Sequence, residues 1–183
     1  MEKPPTVIVL ASGRGERFRA AGGEGLKLQA MLAGQTVLAR TLAAVQASGL
    51  PWHLEDAGHP GMGDSIAAAV RATPNAAGWL ILPGDLPLVQ PATLRRVALA
   101  LHGECRAAQP SYRGERGHPV GFSAACREAL MGLEGSSGAA PVLRGLRAAG
   151  QVADFEVDDV GVVTDIDTLE ALARAERLLL NRG

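Results

Sequence analysis

Apolar residues follow two different periods along the chain. Residues 6–10 (TVIVL) and 79–82 (WLIL) are unbroken apolar or β-branched runs, typical of strands buried on both faces of a parallel sheet. In residues 37–47 the apolar positions instead recur at helical spacing, which predicts an amphipathic helix. Thr36 is its predicted N-cap, and Gly49 lies just past its end.

Capping and turn residues mark the remaining elements. Asp64 or Ser65 is the predicted cap of a helix over 66–72, and Pro91 opens another that runs to about residue 102. Asp167 and Glu170 form a predicted capping box for the last helix. Residues 12–27 are predicted to be a loop. Further strands are predicted at 52–55, 107–112, 120–123 and 152–156, and further helices at 124–133 and 139–148.

The alternation of strands and helices predicts a three-layer α/β fold with a mainly parallel sheet. The sequence contains no repeat and no long linker, so residues 1–183 are interpreted as a single domain. Ligands of such folds bind beyond the carboxyl ends of the strands. Trp52 and Trp79 are interpreted as packing residues of the core or of a sheet face.

Composition narrows the class of protein. The net charge is −1 and aromatic residues make up 3% of the chain, which argues against a nucleic-acid-binding module. No apolar run approaches the roughly 20 residues that span a bilayer, so no membrane partner is expected. Cys105 and Cys126 belong to no metal-binding motif and are interpreted as free thiols of a cytoplasmic protein.

Three strand ends carry candidate chemistry. The loop 12–17 (SGRGER) combines glycines, which let backbone N–H groups approach an anion, with the positive charge of arginine. It matches neither a Rossmann fingerprint nor a Walker A loop, and a flexible surface turn is the alternative.

The other two strand ends carry carboxylates. Asp85 lies between Pro83 and Pro87, where it is either a ligand-binding carboxylate or part of an Asx-turn. Asp165 and Asp167 alternate in an extended stretch and suit Mg²⁺, although Asp167 is also explained as a helix cap.

In this order along the chain, the segments 10–17, 61–65, 84–87, 116–122, 135–139 and 165–168 resemble the motifs of the MobA-like nucleotidyltransferases. Within that family the resemblance is greatest to the molybdenum cofactor cytidylyltransferases. It implies a Rossmann-like three-layer α/β/α fold. It also implies an Mg²⁺-dependent enzyme that joins CMP from CTP to the phosphate of the molybdopterin cofactor and releases pyrophosphate.

The resemblance also implies roles for individual residues. Arg17, Lys27 and Asp85 would be catalytic, and Asp85, Asp165 and Asp167 would hold the metal. The nucleotide would lie against Leu10, Ala11, Ser12, Gly13, Arg17, Lys27, Gly61, Met62 and Ser65. The acceptor would lie against Gly117, His118, Pro119 and Gly121. Arg14 is expected to point to solvent, and no role is assigned to His59.

The sequence departs from the family pattern at several positions. Ser12 replaces an alanine, Ser136 and Ala140 stand where aspartate and arginine are common, and residues 19–25 lengthen the first loop. Residues 49–54 follow so directly on the first long helix that the sheet is expected to be trimmed by one βα unit.

These departures leave three alternatives open. One is guanylyl transfer with GTP as the partner, and another is nucleotidyl transfer onto a sugar phosphate. The third is a non-catalytic escort that holds the cofactor. The expected protein partner is an apo-molybdoenzyme or its maturation factor, to which the cofactor would be passed.

Overall fold

The computed structural model describes residues 3–13 and 15–181, so the expectation for Arg14 lies outside the described residues. The strands are β1 (Thr6–Leu10), β2 (Met31–Leu32), β3 (Gln35–Thr36), β4 (Trp52–Glu55), β5 (Gly78–Pro83), β6 (Ala107–Tyr112), β7 (Glu115–Arg116), β8 (Val120–Ser123) and β9 (Val152–Glu156). The helices are α1 (Glu16–Ala20), α2 (Val37–Ser48), α3 (Met62–Ala72), α4 (Pro91–Ala100), α5 (Arg127–Met131), α6 (Ala140–Ala148) and α7 (Leu169–Leu180).

The main sheet has the strand order β4-β1-β5-β8-β6-β7, with β9 also paired to β6. β4, β1 and β5 run parallel to one another, and β9 runs parallel to β6. Among the described strands of this sheet, only β8 and β7 run in the opposite direction, because each pairs antiparallel with β6. The predicted α/β fold with a mainly parallel sheet is therefore confirmed. β2 and β3 form a separate small hairpin.

The central strands alternate their side chains between two apolar layers. Val7 and Leu80 face the core that includes α2 and α4, whereas Ile8 and Ile81 face the core that includes α3 and α5. These side chains are almost completely buried, and each contributes about 1.5–3 kcal/mol relative to exposure. Helices on both faces of one sheet give the three-layer arrangement. No helix among residues 3–13 and 15–181 is both long enough and apolar enough to cross a membrane.

The sheet ends at β4, which follows α2 after residues 49–51, the short connection on which the expected trimming of the sheet was based. Six residues, 56–61, lead from β4 directly into α3, and no described strand lies beyond β4. Trp52 on this edge is 41% exposed, so it is not a core residue. Trp79, on the central strand β5, is fully buried as predicted.

Two predicted helix caps are wrong, because neighbouring segments use those side chains otherwise. α3 begins at Met62 after Gly61, and the Asp64 carboxylate instead accepts a 3.0 Å hydrogen bond from the backbone N–H of Gly135. α7 is capped by Thr168, whose Oγ1 accepts from the N–H of Ala171 at 3.0 Å. Asp167 is consequently free for other contacts.

Two further segments differ from prediction. The region 12–27 is not all loop, because it contains α1, whose Phe18 is buried in a third apolar cluster with Leu28. The single helix predicted over 124–133 is instead a 3₁₀ turn, Ala124–Cys126, followed by the short α5. Neither the turn nor α5 has a side-chain cap at its start. Both cysteines are free, as predicted.

Candidate active site

The loops after β1 and β5 meet at one edge of the sheet. The backbone N–H of Gly84 donates to the carbonyl of Leu10 at 2.9 Å, which extends the parallel pairing past both strand ends. Thr41 of α2 is fully buried and donates its hydroxyl to the carbonyl of Gly84 at 2.8 Å. Asp85 follows immediately, so its carboxylate is held where parallel sheets bind ligands.

Lys27 lies between two carboxylates from distant parts of the chain. Its Nζ is 2.6 Å from Oδ2 of Asp85 and 2.7 Å from Oδ1 of Asp167. The side chains of Lys27 and Asp85 are only 15% and 11% exposed. Arg17 reaches the other oxygen of Asp167 at 2.8 Å, but its own side chain is 83% exposed. The four side chains form one network, which we call the charge cluster.

The charge cluster shifts the pKa values of its members. Burial opposes the charge of Lys27, but the carboxylates of Asp85 and Asp167 outweigh it and raise the lysine pKa. Burial likewise opposes ionisation of Asp167, yet Lys27 and Arg17 hold its pKa below the ordinary carboxyl value. Asp165 lacks such a cation, and burial with the nearby charges of Asp167 and Asp85 raises its pKa.

The carboxylates fit a divalent cation that binds together with a phosphate ligand. Oδ1 of Asp85 is buried and has no hydrogen-bond partner, so a hard oxygen ligand is left free at the strand end. Asp165 and Asp167 face the same space. No three His, Cys, Asp or Glu side chains of the described residues form a metal site by themselves. Mg²⁺ needs only one or two protein carboxylates when substrate phosphates supply the rest.

Two cavities meet at the charge cluster. The first, of about 320 Å³, is lined by Leu10, Ser12, Gly13, Lys27, Leu28, His59, Pro60, Gly61, Met62, Ser65, Pro83, Gly84, Asp85 and Ser136. The second, of about 360 Å³, is lined by Arg17, Lys27, Met62, Pro83, Asp85, Leu86, Glu115, Arg116, His118, Val162, Val163, Asp165 and Asp167. Lys27 and Asp85 belong to both, so two ligands could meet beside this ion pair.

The second cavity includes a loop held mainly by its backbone. The N–H of Gly117 donates to the carbonyl of Pro110, and the N–H of His118 donates to that of Val162. The peptide bond between His118 and Pro119 is cis. Burial lowers the pKa of the His118 imidazole, and the charge of Asp85 only partly offsets this. His118 therefore faces the cavity as a neutral ring at pH 7.

The structure brings most of the predicted site residues together, but not all. Ala11 packs against the apolar cluster of Phe18 rather than lining a cavity. Gly117, Pro119 and Gly121 also line neither cavity. Gly121 lies inside β8, where an added Cβ would come within 2.9 Å of Val97.

Sequence reasoning assigned no role to His59, which lines the first cavity. The available signal was its position in the loop that leaves the carboxyl end of β4, just before the motif that starts at Gly61.

The family model of the MobA-like NTP transferase domain matches residues 43–153. The bifunctional protein GlmU of Xylella fastidiosa (strain 9a5c) is 30% identical over 121 residues, which are 53% of this chain and 26% of GlmU. The chain therefore spans about a quarter of the length of the curated relatives that it matches.

Solved structures share the fold over nearly the whole chain. A nucleotidyl transferase from Methanothermobacter thermautotrophicus (Mth528) is 23% identical with a TM-score of 0.81, and all of both chains is covered. Rv0371c of Mycobacterium tuberculosis H37Rv, solved with manganese, is 22% identical with a TM-score of 0.72, covering 97% of this chain and 100% of that one.

Molybdopterin-guanine dinucleotide biosynthesis protein A of Archaeoglobus fulgidus is 19% identical with a TM-score of 0.63, covering 96% and 99% of the two chains. At these identities the structures show a shared fold only. The family model matches more than half of the sequence and includes Asp85 and His118 of the two cavities. On that match, the chain belongs to the family of MobA-like NTP transferase domains.

Proposed function

We propose that this chain is a divalent-metal-dependent nucleotidyltransferase that joins CMP from CTP to the phosphate of a molybdopterin-type acceptor and releases pyrophosphate. The observation that carries the proposal is the pair Lys27 and Asp85, which is shared by two cavities. A transferase of this kind must hold two ligands so that their reacting phosphates meet at one charged point. The first cavity would hold the nucleotide and the second the acceptor.

The chemistry requires geometry and positive charge more than proton transfer. A phosphate monoester has a second pKa near 6, so the acceptor is largely dianionic at pH 7 and needs no general base. One of its oxygens attacks the α-phosphorus, the bond between the α-phosphorus and the bridging oxygen breaks, and pyrophosphate leaves with that electron pair. Lys27 and Arg17 would neutralise the leaving pyrophosphate.

The metal would be held by Asp85 and by Asp167 or Asp165. When bound, it would supply further positive charge at the reacting phosphates. Asp85 Oδ1 is the group that supports this assignment, since it is buried and without a partner. The manganese bound by Rv0371c is in line with a divalent cation in this family.

The choice of CTP over GTP rests on Ser12. Its hydroxyl donates to the backbone carbonyl of Glu55 at 3.2 Å, so the residue is fixed at the end of β1 and its Cβ narrows the first cavity. A pyrimidine base needs less room there than a purine. Guanylyl transfer is the second candidate, because the A. fulgidus protein of the same fold is a molybdopterin-guanine dinucleotide biosynthesis protein. Equal or tighter binding of GTP in titration calorimetry would favour that second candidate.

The proposal is tested by pyrophosphate release with CTP, MgCl₂ and molybdopterin. Asp85→Asn removes the charge and keeps the shape, and its turnover should fall by about a hundredfold or more. Asp158→Asn is the matched control, because Asp158 is exposed and lines neither cavity. CTP binding without pyrophosphate release would instead indicate the escort function. Absence of any nucleotide binding, or full activity of Asp85→Asn, would contradict the proposal.

A further inference from the structure

Glu55 is a buried carboxylate at the end of the edge strand β4, and two histidine rings contact it. Its side chain is 7% exposed. Oε1 lies 3.3 Å from Nε2 of His59 and accepts from the N–H of Ala57 at 3.1 Å, while Oε2 lies 3.5 Å from Nε2 of His53. A carboxylate buried in this way requires hydrogen-bonding partners. In both histidines the Nε2 atom therefore faces the carboxylate of Glu55.

Glu55 also joins the loop after β1 to the wall of the first cavity. Its backbone carbonyl accepts from the N–H of Ala11 at 2.9 Å and from the hydroxyl of Ser12 at 3.2 Å. One residue therefore determines the positions of Ser12 and of His59. The side chain of His59 is positioned by a sheet residue, although its own backbone lies in a loop between Gly58 and Pro60.

His59 lines the first cavity and not the second. Lys27 and Asp85 line both cavities, whereas His59, Ser12 and Ser65 line only the first. Ser65 donates its hydroxyl to that of Ser12 at 3.4 Å, so these polar groups adjoin one another. If the triphosphate of the proposed function lies at Lys27, the nucleobase lies at this polar end.

We propose that His59, oriented by Glu55, reads the exocyclic amino group of the nucleobase and so selects an aminopyrimidine over an oxopyrimidine. A carboxylate oxygen carries only lone pairs, so the imidazole nitrogen that faces it carries the hydrogen. In the neutral ring this leaves Nδ1 as an acceptor. Cytosine presents an amino group at the position where uracil presents an oxygen, and only the amino group donates to that acceptor. This inference rests on the proposed function.

CTP and UTP test the inference, because the two nucleotides differ at that position and carry the same phosphates. Their affinities are measured by titration calorimetry at pH 7.5 with MgCl₂. The wild-type chain should bind CTP at least about tenfold more tightly than UTP, as a hydrogen bond of ordinary strength predicts. His59→Phe should bring the two affinities within about twofold of each other, mainly by weakening CTP. His53→Phe is the matched control, because His53 contacts the same carboxylate but does not line the cavity.

Each outcome separates the inference from the proposed function. A preference for CTP that survives His59→Phe overturns the inference and leaves the proposed function standing. Equal affinities for CTP and UTP in the wild-type chain also overturn it. A preference lost equally in His53→Phe does so too, because the effect would then come from the contacts of Glu55 and not from a contact between His59 and the base. Failure of the wild-type chain to bind any nucleotide refutes the proposed function itself. Melting temperatures of the two variants confirm that both remain folded.

Discussion

Replacing Lys27 by methionine tests the charge cluster most directly. The substitution keeps most of the apolar stem and removes the one charge that lies between Asp85 and Asp167. The two carboxylates then lose their shared cation, and the carboxylate of Asp85 remains in a place that is only 11% exposed. We expect a folded variant with a lower free energy of unfolding.

The magnitude follows from the two contacts of Lys27. A hydrogen bond to a charged group contributes about 1.5–3 kcal/mol, and removing one partner of a fully buried ion pair costs about 3–5 kcal/mol. Asp167 is 26% exposed and keeps Arg17, so water and that arginine recover part of the loss. A net loss of about 2 kcal/mol is expected at pH 7, which lowers the melting temperature by roughly 4–8 °C for a chain of this length.

Urea unfolding at a series of pH values tests the cause of this loss. The folded-state pKa of Asp167 is depressed, so its ion pair stabilises the fold above the ordinary carboxyl pKa of about 3.9 and is lost as the pH falls through the folded-state value. The pKa of Lys27 is raised, so its contribution is complete below about 10.4 and is lost as the pH rises through the folded-state value. The difference in free energy of unfolding between wild type and Lys27→Met should be constant between pH values of about 3.9 and 10.4, and it should shrink outside that range.

Lys3→Met provides the control, because Lys3 is the other lysine of the chain and is exposed. A second measurement adds MnCl₂ or MgCl₂ without nucleotide. Lys27→Met should bind the bare cation at least about tenfold more tightly than wild type, since the competing charge is gone, and its melting temperature should rise accordingly. Equal stability of Lys27→Met and wild type at pH 7, or a stability difference that persists unchanged at pH 2, would refute the reasoning.

Three further predictions concern single side chains. Arg17→Ala should weaken CTP binding by about 1.5 kcal/mol in calorimetry while leaving the melting temperature nearly unchanged, because the side chain is 83% exposed; a change in stability alone would contradict its role. Thr168→Ala should lower the free energy of unfolding in urea by about 1 kcal/mol and leave CTP binding intact, since it removes the cap of α7. His118→Asn should flatten the fall in stability between pH 7 and pH 5. The pKa of His118 is lowered in the folded state, so protons favour the unfolded chain as the pH falls through the ordinary imidazole value of about 6.5. An unchanged slope would exclude His118 as the source.

The strands were predictable because their signal is local. The run at Thr6–Leu10 and the segment Val152–Glu156 have the bounds that the sequence pattern indicates. Helix starts were less predictable, because distant segments contact the side chains that the sequence offers as caps. Asp64 was available as a cap in sequence, but Gly135, 71 residues away, donates to its carboxylate. Asp167 was the predicted cap of α7, but the distant Lys27 contacts its carboxylate and Thr168 is the cap.

The sequence predicted which residues belong to the candidate site, but it did not predict which of them contact one another. Asp85, Lys27 and Asp167 were each predicted from the family resemblance, yet Lys27 lies 58 and 140 residues from the two carboxylates it bridges. No local pattern encodes that bridge. For His59 the sequence offered only its position in the loop after β4. Its place in a cavity wall and its contact with the buried Glu55 are visible only in the structure.

The contacts of Asp167 have a consequence for the protease sensitivity of the chain. Asp167 immediately precedes the cap of α7, and its two cations come from residues 140 and 150 positions earlier. α7 has one fully buried residue, Ala175, and packs against the cluster of Phe18 and Leu28. Detachment of α7 would therefore release Asp167, which lines the second cavity and is a partner of Lys27. A ligand that holds this cavity together disfavours the detached state, so occupancy of the site should slow cleavage within α7 and amide exchange along it.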